Sequence, residues 1–333
     1  MRPVCFHGVS RLTKITFSSP VQEGIQDVEN LMRAQAEGYD PDLGAALEHL
    51  LSSGGKRIRP ALTLLTGKML GGDYDRLVTL GAAIELLHTA TLVHDDLIDN
   101  SLLRRGIPTL NSQWSPGATV LTGDFIFARA ANLSAQTESI AAMKLFAQTL
   151  VIIVNGEISQ LFSNRIFPDR ESYFARIYEK TASLFETSTA AAAIISEVDA
   201  GTIEYVRQFG FKIGMAFQIV DDILDFTGEQ TTIGKPVGSD LRQGIVTLPA
   251  ILYADKNPAN PDVQLLKQGS LQSNEVHFIR LVESIRRSDA IDLAYEEARN
   301  FVQTGLEVLA CLPESPERAA LADIAEYILH RQQ

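Results

Sequence analysis

Cysteine is nearly absent: Cys5 and Cys311 are the only two in 333 residues, and they lie at opposite ends. They form neither a disulfide framework nor a zinc cluster, and they suit a reducing interior. Basic charge is also short, since 29 Lys and Arg face 41 Asp and Glu for a net charge of −12. A general nucleic-acid binder needs a basic face to neutralise phosphates, so no nucleic-acid partner is expected. The apolar runs Phe146 to Val154 and Ala190 to Ile195 fall short of the roughly 18 to 20 residues of a membrane span. No stable membrane insertion is therefore expected, and the expected location is cytoplasmic. Alternating strand patterns bounded by Asn-Gly or Asp-Gly turns are missing, as are a Ser/Gly linker and a repeat of fixed period.

Helical spacing fills the space those absences leave. Ala83, Ile84, Leu87, Thr91 and Leu92 follow the three-and-four rule of a buried stripe. Tyr205, Phe209, Ile213, Phe217, Val220 and Leu224 do the same, as do Ile291, Ala294, Ala298, Phe301, Val302, Gly305 and Leu309. Breakers such as Gly71-Gly72, Pro116-Gly117, Pro168, Pro236 and Pro258 to Pro261 fall between these segments. The fold class is all-α, a single helical bundle with its site built from facing side chains. Residues 1–20 carry Arg2, Arg11 and Lys14 and no acidic residue. They read as an irregular N-terminal segment in preference to an organelle-targeting one, with residues 21–333 as one helical domain.

Two copies of one acidic pattern carry the chemistry. Val93-His94-Asp95-Asp96-Leu97-Ile98-Asp99 and Ile219-Val220-Asp221-Asp222-Ile223-Leu224-Asp225 each place a DDxxD at the C-terminal end of an apolar helix. Asp95 and Asp99, like Asp221 and Asp225, are i and i+4 and share a helical face. Like charges there repel, and negative charge opposes the dipole at a helix C-terminus, each by about a few tenths of a kcal/mol. Carboxylate oxygens suit Mg²⁺, which keeps waters and bridges to phosphates. One such cluster is weak evidence. Two facing each other would make the walls of a metal–diphosphate site.

With its other landmarks the chain resembles the trans-isoprenyl (polyprenyl) diphosphate synthase family, from about Leu50 to the C-terminus. The landmarks are Gly54-Gly55-Lys56-Arg57-Ile58-Arg59-Pro60, Ser101 to Gly106 after the first DDxxD, Gly123-Asp124, Lys180-Thr181, Gln218 before the second DDxxD, and Gly234-Lys235-Pro236-Val237-Gly238. The resemblance implies an isoprenoid-synthase-type helical bundle with a central cavity. It also implies a prenyltransferase that joins an allylic diphosphate to isopentenyl diphosphate by ionisation, condensation and elimination. Asp95, Asp99 and Asp221 are implied as ligands of three Mg²⁺ ions, with Asp96, Asp222 and Asp225 acting through water or behind the ligands. Arg104, Lys180 and Lys235 are implied to hold the allylic diphosphate, and Lys56, Arg59, His88 and Arg105 to hold isopentenyl diphosphate. Lys180, Thr181 and Gln218 would face the carbocation, and Arg104 would take part in catalysis. A homodimer is the family's usual assembly.

A helix rises about 5.4 Å per turn, close to one isoprene unit, so residues before Asp95 can measure the product. In the family, aromatics at the positions of Ala90 and Thr91 stop growth early. Both residues are small here, and Leu87 comes next. The product is expected to exceed fifteen carbons and to fall at roughly thirty to fifty; a geranylgeranyl-type synthase is the shorter alternative. A class I terpene cyclase would have replaced the second DDxxD, and a non-catalytic subunit of a heteromeric synthase would have lost aspartates. Ile245 stands where the family often has lysine, which implies weaker binding of the allylic substrate.

Overall fold

A computed structural model describes residues 19–163, 167–228 and 237–331. Residues 1–18 of the N-terminal segment, and Lys235 with its flanking Gly234 and Pro236, lie outside the described residues. The described chain is helical almost throughout. In order come α1 (Gln22–Ala34), α2 (Pro41–Ser52), α3 (Ile58–Met69) and α4 (Tyr74–Ile98), then α5 (Leu110–Gln113), α6 (Pro116–Gln136) and α7 (Ile140–Ser163). They are followed by α8 (Arg170–Ile177), α9 (Ser183–Ile195) and α10 (Ala200–Thr227). The remainder is α11 (Ser239–Arg242), α12 (Leu248–Lys256), α13 (Pro261–Lys267), α14 (Glu275–Arg286), α15 (Ala290–Leu309) and α16 (Pro316–His330).

The predicted helices are present, with one difference in burial. The stripe on α4 was expected to be one-sided, but Leu80 to Leu87 are buried without a break, so this helix is enclosed. An all-round apolar helix belongs in the interior. On α10 the stripe holds except at Tyr205, which is 42% exposed in the first two turns. Val206, Phe209, Ile213 and Ala216 of α10 enter one apolar cluster with α1 to α4, α6, α9 and α16. Met215, Ile219, Val220, Ile223 and Phe226 enter a second, with α12 to α15. The helix bearing the second acidic pattern is thus fixed from both sides.

The structure corrects the expectation about apolar length. By length and composition, Tyr74–Ile98 and Ile140–Phe162 are each long enough to cross a membrane. The apolar window of the first is 72% buried, as befits a core helix, whereas that of the second is 22% buried. Phe146 and Ile153 of α7 point inward, while Val151, Val154, Ile158, Leu161 and Phe162 form an exposed stripe.

A hairpin also escaped the sequence reading. Leu103 pairs with Pro108 and Arg104 with Ile107. Its turn residues, Arg105 (φ 53) and Gly106 (φ 76), both have positive φ. That is the backbone of a primed turn, but with arginine where asparagine or aspartate would signal it.

Close helix contact sets the position of the site. A Cβ at Gly214 on α10 would lie 2.7 Å from the Ala182 Cα and 2.8 Å from the Phe185 Cβ. The absent side chain lets α10 approach the segment that carries Lys180 and Thr181. Gly214→Ala should therefore destabilise the fold by about 1–3 kcal/mol through overpacking. Chemical denaturation measures this, and an unchanged midpoint would mean that the two helices can separate freely.

Candidate active site

Both acid-bearing helices start well and end badly. Asp73 caps α4 by accepting from the Arg76 N–H at 3.0 Å, and Asp199 caps α10 by accepting from Gly201 and Thr202 at 2.9 and 3.1 Å. These carboxylates meet the positive end of the dipole. At the other ends, neither last turn contains a basic residue. Both ends open on one cavity of about 400 Å³, with Asp96, Asp99 and Arg104 on one side, Gln218 and Asp222 on the other, and Lys180 beside them.

The six aspartates divide by what they touch. Asp96 is buried, and the Arg104 guanidinium clasps it, Nε donating to both oxygens at 3.0 Å and Nη2 lying at 2.9 Å. Asp222, also buried, accepts from the Tyr173 hydroxyl at 2.7 Å and the Gln218 amide at 2.8 Å. Burial above all, with Asp240 adding to it, pushes the Asp222 carboxyl up to about 7. Asp225 accepts from the backbone N–H groups of Ser239 and Asp240 at 3.1 and 3.3 Å, anchoring the start of α11. These three aspartates organise the protein around them.

Asp95, Asp99 and Asp221 are differently placed. Burial raises the Asp95 carboxyl to about 6; Lys180 opposes the rise, and Glu157 and Asp99 add to it. Lys180 Nζ lies 3.9 Å from Asp95 and 2.6 Å from Glu157. Burial pulls the Lys180 ammonium down, but its carboxylate neighbours outweigh this and raise it. Asp221 accepts from Arg331 Nη2 at 2.5 Å, and the same nitrogen donates to the Phe217 carbonyl at 2.6 Å. The Arg331 guanidinium lies 3.8 Å from the centre of the Phe217 ring.

Lys180 and Thr181 sit on a π-helical turn, Tyr178–Ala182, between α8 and α9. The Ser183 N–H donates to the Tyr178 carbonyl five residues back, so the ladder skips one residue. The Thr181 hydroxyl donates to Gln218 Oε1 at 2.7 Å. A chain of contacts therefore runs from Tyr173 through Asp222 and Gln218 to Thr181, and it fixes which way the Gln218 amide points.

A second, cationic group lies at the α3 end. Arg59 stacks 4.8 Å from the Phe185 ring centre, and its Nε is buried with no hydrogen-bond partner. Burial, aided by Arg105, lowers this guanidinium to about 10. Arg105 donates to the Gly54 carbonyl, linking the hairpin to the Gly54–Arg57 loop. Lys56 lies 5.0 Å from the Tyr327 ring centre. Arg57, left-handed at φ 46, is held by Glu29 at 2.7 Å, Glu85 at 3.1 Å and the Leu51 carbonyl at 3.1 Å. Ala90 and Leu87 are fully buried in the core, and Thr91 is half-buried.

Sequence reasoning missed Glu157, Tyr173, Arg176, Glu85 and Arg331. Tyr173 and Arg176 precede Lys180 by seven and four residues, a helical spacing that could have found them. Nothing local marks Arg331, which reaches the site only through the docking of α16.

The acidic oxygens fit a hard cation. Among the described residues no three of His, Cys, Asp and Glu converge to cage an ion. The carboxylates supply part of a shell, and phosphate and water would complete it, as Mg²⁺ prefers.

The chain is similar to known proteins over most of its length. The polyprenyl synthetase family profile matches residues 40–280. Heptaprenyl diphosphate synthase component 2 of Geobacillus stearothermophilus is 38% identical over 301 residues, which is 90% of this chain and 93% of that one. The all-trans-nonaprenyl-diphosphate synthase (geranyl-diphosphate specific) of Rhodobacter capsulatus is 38% identical over 292 residues, 86% of this chain and 88% of that one. The crystal structure of a polyprenyl synthase from Caulobacter crescentus CB15, complexed with calcium and isoprenyl diphosphate, superposes with a TM-score of 0.90. It is 33% identical and covers 96% of this chain and 98% of that one.

The cationic group makes a pH prediction. Burial first, then Arg59, Arg104, Arg105 and Arg57, hold the His88 imidazole well below 6.5; Glu85 is the buried carboxylate nearby. The folded chain keeps His88 neutral while the unfolded chain takes up a proton below about pH 6.5. Stability from this residue is thus present above pH 6.5 and is lost as pH falls below it. His88→Gln should flatten the pH dependence of the unfolding free energy between about pH 5 and 6.5, by up to about 1.4 kcal/mol per pH unit. Equal slopes in the parent and variant would show that the imidazole protonates in the folded chain.

Proposed function

The chain belongs to the polyprenyl synthetase family and is a prenyltransferase, and on that footing we propose that it is a Mg²⁺-dependent all-trans polyprenyl diphosphate synthase. It extends an allylic diphosphate with isopentenyl diphosphate. The observation that carries this reading is the shared cavity: two acidic helix ends open on it, with a separate cluster of Arg59, Arg105 and His88 behind them.

The chain's own residues divide the labour. Arg104 and Lys180, with Lys235, bind the allylic diphosphate, while Lys56, Arg59, His88 and Arg105 bind isopentenyl diphosphate without metal. A planar guanidinium suits that second role because it clasps phosphate oxygens in pairs. Held by Asp95, Asp99 and Asp221, three Mg²⁺ ions would act as Lewis acids on the leaving diphosphate. The allylic C–O bond breaks, and the isopentenyl double bond attacks the resulting cation. The Thr181 hydroxyl, the Lys180 carbonyl and Gln218 Oε1 offer it electron-rich but weakly nucleophilic surroundings. The released diphosphate takes the proton that is lost.

The small residues Ala90 and Thr91 support a product longer than fifteen carbons, at roughly thirty to fifty. The names of the heptaprenyl and nonaprenyl relatives support the same range. Products should be sized after incubation with Mg²⁺, labelled isopentenyl diphosphate and starters of increasing length. Chains beyond C15 are expected, and no incorporation would overturn the reading. In the same assay Ala90→Phe should shorten the products; an unchanged distribution would remove Ala90 from the measuring surface.

We also infer a homodimer through the exposed apolar stripe of α7 and its neighbours Val120 and Leu121 on α6. The relative named component 2 of a synthase makes a companion chain the alternative occupant. Sedimentation of the purified chain should give a dimer, and Leu121→Asp with Phe162→Asp should give monomers. A monomeric parent would favour the companion.

A further inference from the structure

Among the described residues, three cationic side chains line the cavity between the acidic helix ends: Arg104, Lys180 and Arg176. Two of them already have carboxylate partners. Arg104 is clasped to Asp96, and Lys180 stands against Glu157 and Asp95. Arg176 has none: among the described residues no carboxylate lies within 4.0 Å of its guanidinium. Its Nη2 donates to the Val246 carbonyl at 2.6 Å, and its guanidinium carbon sits 5.5 Å from the centre of the Tyr173 ring. These contacts orient the group without neutralising it.

The surroundings make that charge useful. Arg176 stands one turn before Lys180, so both project to the same wall. Next to Val246, Ile245 lines the same cavity with an apolar side chain and adds no charge. The field of Arg176 reaches Tyr173 and Asp222, where it opposes the upward push of burial on both. An anion entering the cavity would find here, among the described residues, the lining cation that need not leave a carboxylate.

We propose that Arg176 binds the diphosphate of the allylic substrate, supplying from α8 the positive charge that Ile245 does not. This deepens the proposed function and rests on its reading of the cavity as the diphosphate site. Arginine can offer the anion two parallel N–H donors while the tether to Val246 holds its plane.

Calorimetric titration of the full-length chain with inorganic diphosphate at saturating Mg²⁺ tests this. Arg176→Gln should weaken binding by about tenfold to a hundredfold, the usual range for a lost charged hydrogen bond. Arg176→Lys should lose less. The double variant Arg176→Gln with Ile245→Lys should recover most of the affinity, because lysine at 245 would return charge to the same cavity. In steady-state kinetics the KM for the allylic substrate should rise while that for isopentenyl diphosphate stays put. Parent-like binding by a folded Arg176→Gln overturns the proposal. So does failure of Ile245→Lys to rescue, which would leave Arg176 only as a strut for the Val246 segment. A parent chain that binds no diphosphate would sink the reading of the cavity itself.

Discussion

Negative charge gathered where two helix dipoles also end negative is the constraint around which this protein is organised. Asp96 and Asp99 from the end of α4 and Asp222 from the end of α10 line one cavity, and neither last turn carries a cation. Isolated helices would avoid this arrangement. Here the core holds both helices in place: α4 is enclosed for most of its length, and α10 is shared between two apolar clusters. Burial of apolar surface, on the scale of about 25 cal/mol per Å², outweighs a local repulsion of about a kcal/mol. The acidic site is therefore a place where the fold withstands a local penalty, eased by the chain's own Arg104, Lys180 and Arg331.

The three carboxylates of each cluster do different jobs because they differ in depth. Asp96 and Asp222 are buried and have protein donors on both oxygens, so each fixes a neighbour: Asp96 holds Arg104, and Asp222 holds Gln218 and Tyr173. An inward aspartate with satisfied lone pairs makes a rigid support. Asp95 and Asp221 are less enclosed, and each lies against a cation that is itself held elsewhere: Lys180 by Glu157, and Arg331 by the Phe217 carbonyl and ring.

What could be read from the amino-acid order follows the same division between local and tertiary causes. The paired DDxxD segments were legible because a four-residue spacing on an apolar helix means one face, whatever the surrounding fold. Lys180, Thr181 and Gln218 were legible by resemblance, and the hydrogen bond between the last two gives that pairing a geometry. The Arg105–Gly106 turn was not legible, because arginine is a poor signal for positive φ and only its tie to Gly54 shows why the strain is borne. The π-helical turn was equally hidden, since no local residue pattern marks it; α10 packs its Gly214 against Ala182 there. The α7 stripe was misjudged because runs were counted by unbroken apolarity, whereas a helix needs only one continuous face.

The C-terminal helix gives the last link. α16 meets α3 and α10 through its buried Leu321, Ile324, Ala325 and Ile328. From this one helix Tyr327 lies beneath Lys56, while Arg331, just beyond its end, grips Asp221 and stacks on Phe217. The cationic Lys56 and the acidic Asp221 therefore share a support. Any shift of α16 that released Arg331 from Asp221 would also move the surface on which Lys56 rests. A helix whose sequence carries no motif at all thus joins the loop that carries Lys56 to the second acidic pattern.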